Sequence, residues 1–296
     1  MIQPPTQTEI RAMLADAGLR PDRRYGQHFL VDGNLMRRLV AEADLGPADT
    51  VLEVGPGVGN LTQLLLAQAG HVVAVELDER IAAVARERLA GAANLDLLVT
   101  DILADKHSIA PAAMEAVRRH REALGGAVKL VANLPYAAAT PLVAELLLEA
   151  PPPERLVFTV QEEVAERLAA RPGTRQYGPV SVLVQAVAEV EILRRLGPKV
   201  FWPPPRVGSA MVRIRPSAER RGRVADLAAF RRIIDGLFGH RRKRAARSLA
   251  LSDPARASPT AWAERLAAAG LDPEARGETY SVDEIIRLAN FASRRA

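Results

Sequence analysis

Val51-Leu52-Glu53-Val54-Gly55-Pro56-Gly57-Val58-Gly59-Asn60 reads as a strand that runs through a glycine turn into a helix. The first four residues are short and mostly apolar, as a buried strand requires, and helical spacing takes over at Asn60. Glycines at such a turn let the backbone approach a ligand closely, and the helix start offers free N–H groups. The same unit recurs on both sides. Strands are predicted at 72–76, 95–99, 128–132, 156–161 and 210–214, and helices at 6–20, 33–43, 79–89, 112–120, 141–148 and 162–170. Further apolar segments stand at 180–187 and 190–193. This alternation specifies right-handed crossovers and a parallel sheet covered on both faces.

After Pro216 the pattern is wholly helical, at 225–238, 244–251, 260–269 and 282–291. A boundary near residue 217 follows. Residues 1–216 are expected to form an α/β domain, and 217–296 a smaller all-helical one.

With 296 residues and 48% hydrophobic content, the chain can bury a sizeable core. It has no run of about 18 to 20 apolar residues such as a membrane helix needs, and residues 1–9 are polar, so a cytoplasmic protein without a membrane partner is expected. Zero cysteines exclude disulfides, thiolate metal sites and a Cys nucleophile. The histidines (28, 71, 107, 120 and 240) show no metal-ligand spacing, and no metal is expected.

Between Arg206 and Arg247, thirteen Lys or Arg face three acids, a local balance of +10 in a chain whose total is +5. The block His240-Arg241-Arg242-Lys243-Arg244 resembles a footprint for a polyanion, and the alternative is a solvated helix face. Arg206, Arg241, Arg242, Lys243 and Arg244 are the candidate nucleic-acid contacts.

Three positions at predicted strand ends suggest an adenosine-containing cofactor. Position 60 is Asn, so the spacing is G-x-G-x-G and lacks the third glycine of the dinucleotide fingerprint. Gly55 and Gly57 would bring backbone to the ligand, Glu76 could accept bonds from both ribose hydroxyls, and Asp101 suits an adenine amino group. Directly after the apolar run at 128–132 stands Asn133-Leu134-Pro135-Tyr136, an amide, a rigid turn and an aromatic ring. That set suits a flat, amine-bearing heterocycle; it also suits an ordinary Asn-Pro turn whose Tyr packs on a helix.

These segments, in this order, resemble the ribosomal RNA adenine N6-dimethyltransferase family, and most closely its bacterial small-subunit branch. Further matches are Tyr25-Gly26-Gln27-His28-Phe29-Leu30-Val31-Asp32, Gln161-Glu162-Glu163-Val164-Ala165, and Tyr177-Gly178 with Ser181-Val182. Val200-Phe201-Trp202-Pro203-Pro204-Pro205-Arg206-Val207-Gly208-Ser209, Phe238 to Lys243, and Gly270-Leu271-Asp272-Pro273 with Ala289-Asn290 extend the likeness over nearly the whole chain.

The resemblance implies a Rossmann-like class I methyltransferase sheet, with S-adenosylmethionine contacted by His28, Leu30, Gly55, Glu76, Asp101 and Asn133. It implies dimethylation of two adjacent adenosines near the 3′ end of 16S ribosomal RNA; an assembling small subunit is the expected substrate, because the basic helical domain offers more surface than one flipped base would use, and a monomer is expected. Asn133 and Leu134 would accept the N6 hydrogens, Pro135 would fix the Leu134 carbonyl, and Tyr136 with Phe201 would sandwich the base. The chain departs from the family at His28, where Asn is commoner, and in a long stretch from Asp101 to Asn133. Competing readings are a large-subunit rRNA methyltransferase, a non-catalytic nucleic-acid-binding relative and an NAD-dependent oxidoreductase.

Overall fold

The structure, a computed structural model, describes residues 3–22, 26–105, 107–253 and 257–293. Chain contacts divide it into two compact units, residues 1–165 with 191–215, and 166–190 with 216–296. The expected break at 216/217 therefore has a counterpart at 215/216. Residues 166–190, however, group with the C-terminal helices, although the strand that begins at Ala188 belongs to the sheet. The reason lies in Pro179–Val187, which is a helix with six buried residues and packs against helices of the second unit.

The first unit is built on seven strands: β1 (Thr50–Val54), β2 (His71–Glu76), β3 (Leu95–Val99), β4 (Val128–Asn133), β5 (Arg155–Gln161), β6 (Ala188–Leu196) and β7 (Ser209–Pro216). Their order is β3-β2-β1-β4-β5-β7-β6. β1 pairs in parallel with both β2 and β4, and β7 runs antiparallel to β5. Every residue of β1 and β2 is buried, which explains their near-continuous apolar sequence: parallel strands covered on both faces need no polar alternation. Because the chain winds outward from β1 to β3 and then returns to β4 on the other side, the sheet has a switch point between β1 and β4. Ligands of open α/β sheets bind outside the carboxyl ends at that point.

The covering helices are α1 (Gln7–Asp16), α2 (Gly33–Ala43), α3 (Thr62–Leu66), α4 (Glu79–Arg88), α5 (Pro111–Leu124), α6 (Tyr136–Leu148) and α7 (Glu162–Leu168). Their starts are marked by side-chain caps: Thr6 and Glu9 form a capping box on α1, Asp32 caps α2 and Asp78 caps α4. α6 begins at Tyr136, five residues before its predicted start at Pro141. Pro141 lies inside α6, and Pro135 is its N-cap. The long stretch after Asp101 holds a short hairpin, Leu103–Asp105 with Ser108–Ile109, and then α5.

The second unit contains α8 (Pro179–Val187), α9 (Ala218–Gly222), α10 (Leu227–Gly239), α11 (Ala245–Ser252), α12 (Pro259–Ala268) and α13 (Val282–Ser293). Its buried side chains include Tyr177, Phe230, Leu237, Trp262 and Leu266. α10 packs closely on α11 because Gly236 faces Leu249 and Ser248 Oγ donates to Gly236 O at 2.6 Å. Among the described residues, no helix is long and apolar enough to cross a membrane.

Candidate active site

A cavity of about 450 Å³ opens at the carboxyl ends of β1, β2 and β4, within the range typical of small-molecule sites. Its wall includes His28, Leu30, Gly55, Gly57, Glu76 and Asp101, the expected cofactor residues. Asn133, Leu134, Pro135 and Tyr136 line the same space. Tyr25 lies outside the described residues.

The glycine loop leaves the end of β1. Gly55 and Gly57 have φ of +72° and +57°, a region that L side chains rarely adopt. A Cβ on Gly57 would stand 2.9 Å from the Phe29 ring, and one on Gly55 would stand 3.1 Å from Pro135 Cγ. Glu76, at the end of β2, ties this loop to the next: Oε2 accepts from Gly57 N at 3.1 Å, and Oε1 accepts from Leu77 N at 2.9 Å and Asp78 N at 3.0 Å. Burial raises the Glu76 pKa, against the pull of those three amides. Asp101 lies two residues past β3, exposed, and accepts from Leu103 N at 2.9 Å.

Asn133 closes β4, opposite Thr159 of β5. Its amide is fixed on both sides: Nδ2 donates to His28 O at 2.8 Å, and Oδ1 accepts from Thr159 Oγ1 at 2.6 Å. An amide oxygen has two lone pairs, so Oδ1 can take one more donor. Leu134 N donates to Thr159 O, and the amides of Ala138 and Ala139 both converge on Pro135 O, which leaves the Leu134 carbonyl outside the α6 ladder. The Tyr136 hydroxyl meets Ser209 Oγ at 2.9 Å, and its ring centroid lies 5.7 Å from that of His28. His28 Nδ1 donates to Pro203 O at 2.7 Å, which sets that ring's orientation.

Phe201 is elsewhere. It was expected to face Tyr136, but it pairs with Leu30, is 3% exposed and belongs to an apolar cluster with Val131 and Met211. The apolar ring gains more from that core than from the cavity wall, and the ring that faces Tyr136 is His28. Neither residue's sequence neighbourhood signalled this exchange; the β-bridge between Phe29–Leu30 and Phe201–Trp202 produces it.

Glu53 was missed. It is the one acid in the buried strand β1, it lines the cavity, it is 1% exposed, and its Oε2 has no hydrogen-bond partner. Burial, with the nearby Glu76 charge, raises its pKa to about 8 against the opposing Thr62 hydroxyl, so the carboxyl is protonated at neutral pH. An ionisable residue within an otherwise apolar strand was the signal.

The basic block at 240–244 is not on a helix: it forms the turn between α10 and α11. Arg241 is committed within its unit, to Glu278 Oε2 at 2.5 Å and to the carbonyls of Arg175 and Tyr177. Arg244 pairs with Glu274. Arg242 and Lys243 are exposed, as is Arg206, which belongs to the first unit. The broader stretch is likewise partly neutralised, Arg213 by Glu42 and Glu191 and Arg223 by Asp283. Although no metal was expected, the fold brings His71, Asp96 and His120 together, a grouping that sequence spacing does not register.

Residues 19–293 match the family model described as ribosomal RNA adenine dimethylase. The chain is similar to a protein named ribosomal RNA small subunit methyltransferase A in Pelotomaculum thermopropionicum, 41% identical over 95% of this chain and 94% of that protein. It is 40% identical to the Streptomyces griseus protein of the same name, over 95% and 92%. Its fold matches a dimethyladenosine transferase from Plasmodium falciparum with a TM-score of 0.70 at 21% identity, over 90% of this chain and 98% of that one. The 23S rRNA methyltransferase ErmE aligns with a TM-score of 0.61 at 27% identity, over 90% and 99%. From a cavity at the sheet's switch point to a family match that spans almost the whole length, the observations converge: the chain belongs to the ribosomal RNA adenine dimethylase family.

Proposed function

We propose that this protein is an rRNA adenine N6,N6-dimethyltransferase, which uses S-adenosylmethionine to dimethylate two adjacent adenosines near the 3′ end of 16S rRNA in the assembling small subunit. The observation that carries this reading is the side-by-side arrangement of two features in one cavity: the glycine loop bound to Glu76, and the Asn133-Leu134-Pro135-Tyr136 turn. The relatives named for the small subunit, about 40% identical over 95% of the chain, favour that substrate over the large subunit named for ErmE.

The donor set fits S-adenosylmethionine. Gly55 and Gly57 hold the loop at positive φ packed against Pro135 and Phe29, Glu76 would offer a buried carboxyl to the ribose hydroxyls, and Asp101, on the cavity wall, would accept from the adenine amino group. Leu30 supplies an apolar wall and the His28 carbonyl orients Asn133. Bound there, the cofactor supplies a sulfonium methyl, an electrophile that needs no metal.

The target N6 is a poor nucleophile because its lone pair is delocalised into the purine. Asn133 Oδ1 and the Leu134 carbonyl accept its two hydrogens, which favours a pyramidal nitrogen and aims the lone pair. Thr159 and His28 O hold that amide in one orientation, so little reorganisation is required at the moment of transfer. The adenine must leave its stack, at a cost of a few kcal/mol, and packing against Tyr136 returns roughly 1 to 3 kcal/mol. The alkylated amine is acidic enough to lose its proton to water.

Single-turnover methyl transfer by Asn133→Ala tests the site. The expected result is a rate reduced by about 100-fold or more with cofactor affinity changed much less, as loss of one preorganised oxyanion-hole-type contact does. A normal rate once cofactor is saturating would overturn the assignment.

A further inference from the structure

Three glycines at positive φ, Gly55, Gly57 and Gly59, leave the loop between β1 and α3 with little conformational restraint of its own. Glu76 fixes its first half through Gly57 N. The second half is held by Arg88, the last residue of α4, which does not itself line the cavity. Arg88 Nη1 donates to Val58 O at 2.6 Å and, more weakly, to Asn60 Oδ1 at 3.4 Å, while Nη2 donates to Gln63 Oε1 at 2.5 Å. The end of α4 also closes directly on the loop: a Cβ on Gly59 would stand 2.8 Å from Leu89 Cδ1 and 3.5 Å from Arg88 Nη1.

We propose that Arg88 is a positioning residue for the cofactor: it locks the Val58–Asn60 half of the glycine loop and, through Asn60, ties that loop to the segment that carries Leu30. The inference rests on the reading of the cavity as an S-adenosylmethionine site. Asn60 is buried and lines the cavity, and its Nδ2 donates to Leu30 O at 3.2 Å. With Oδ1 turned to Arg88, that amide has one orientation. Gln63, the third partner, donates in turn to Gln3 O at 3.2 Å. One guanidinium thus holds three neutral acceptors at once, which its planar fork of donors permits and a point-like ammonium does not.

Hydrogen bonds from a charged donor are the stronger class, and here they restrain a loop that its own residues leave loose. Without them the loop gains conformations that bind no cofactor, and affinity falls with the population of the competent one. No partner of Arg88 belongs to the Asn133–Tyr136 turn, so the transfer step is left intact once cofactor is bound. The signature is therefore a change in cofactor affinity without a change in the saturated rate.

The test is calorimetric titration of S-adenosylmethionine into the full-length wild type, Arg88→Met, Arg88→Lys and Arg86→Met, with methyl transfer to undermethylated small subunits followed as cofactor concentration is varied. Arg88→Met should weaken cofactor binding about 10-fold or more, the scale of one lost charge-assisted hydrogen bond. Its KM for the cofactor should rise in parallel, with kcat at saturating cofactor and the KM for subunits unchanged. Arg88→Lys keeps the charge, guards against loss of the fold, and should also bind more weakly. Arg86→Met, exposed on the same last turn of α4, should match the wild type. Wild-type affinity in both Arg88 variants, or a lowered kcat at saturating cofactor with unchanged affinity, would overturn this inference alone. Absence of S-adenosylmethionine binding by the wild type would overturn the cofactor reading and this inference with it.

Discussion

Glu53→Gln isolates the cost of keeping an acid inside β1. In the folded chain the Glu53 carboxyl titrates at about 8, against an ordinary value of 4.5. Above pH 4.5 the unfolded chain releases this proton while the folded chain keeps it, so the folded state loses stability as pH rises and the loss levels off above pH 8. Each tenfold change in protonation is worth 1.36 kcal/mol, which puts the full effect at roughly 5 kcal/mol, an upper bound because the backbone can relax and water can enter. Gln keeps the shape and has no proton to lose. Urea unfolding of both proteins across pH 5 to 9 reads the effect directly: the variant's advantage should grow by several kcal/mol from the acid to the alkaline end. Taking the difference between the two proteins cancels the titrations of groups that are not coupled to Glu53; Glu76, whose charge raises the Glu53 pKa, is coupled to it and contributes to the same difference. A constant offset at all pH values would refute the assignment of Glu53 as a buried, protonated acid.

Gly57→Ala should lower thermal stability by about 1 to 3 kcal/mol and weaken S-adenosylmethionine binding, since its φ of +57° and the Phe29 ring 2.9 Å from the added Cβ both oppose the change. Wild-type cofactor affinity in a calorimetric titration would contradict this. Arg242→Gln with Lys243→Gln should flatten the salt dependence of RNA binding by about 0.7 to 0.9 in log–log slope per lost phosphate contact, with the melting temperature unchanged. Arg241→Gln should instead lower the melting temperature, because it removes the Glu278 ion pair and two carbonyl bonds. An unchanged slope in the double variant would show those two exposed cations to be free of RNA.

The sheet was legible because its strands are short apolar runs bounded by turns: the predicted strand at 95–99 coincides with β3, and the helix at 33–43 with α2. Residues 180–187 were not legible in the same way. A continuous apolar run has the same composition whether it becomes a buried helix or a strand, and its neighbours in space settle which. The residues expected to hold the cofactor and the Asn133–Tyr136 turn line one cavity because strand ends in an α/β sheet converge. Phe201 misled because an aromatic ring signals stacking and core packing alike, and only the pairing with Leu30 separates them. The block at 240–244 overstated its free charge, since the acids that neutralise it, Glu274 and Glu278, lie 30 or more residues away. His71 and Asp96, and Asp96 and His120, are about 25 residues apart, a separation that adjacent strands and a crossover helix erase in space.

The substrate and product of methyl transfer can be read in one experiment. Purified protein given labelled S-adenosylmethionine should be offered small ribosomal subunits that lack the modification, with large subunits and free rRNA in parallel. Label is expected in the undermethylated small subunits, recovered as N6,N6-dimethyladenosine at two adjacent positions near the 3′ end of 16S rRNA. Label in the large subunit, or none in the small subunit while the cofactor binds, would contradict it.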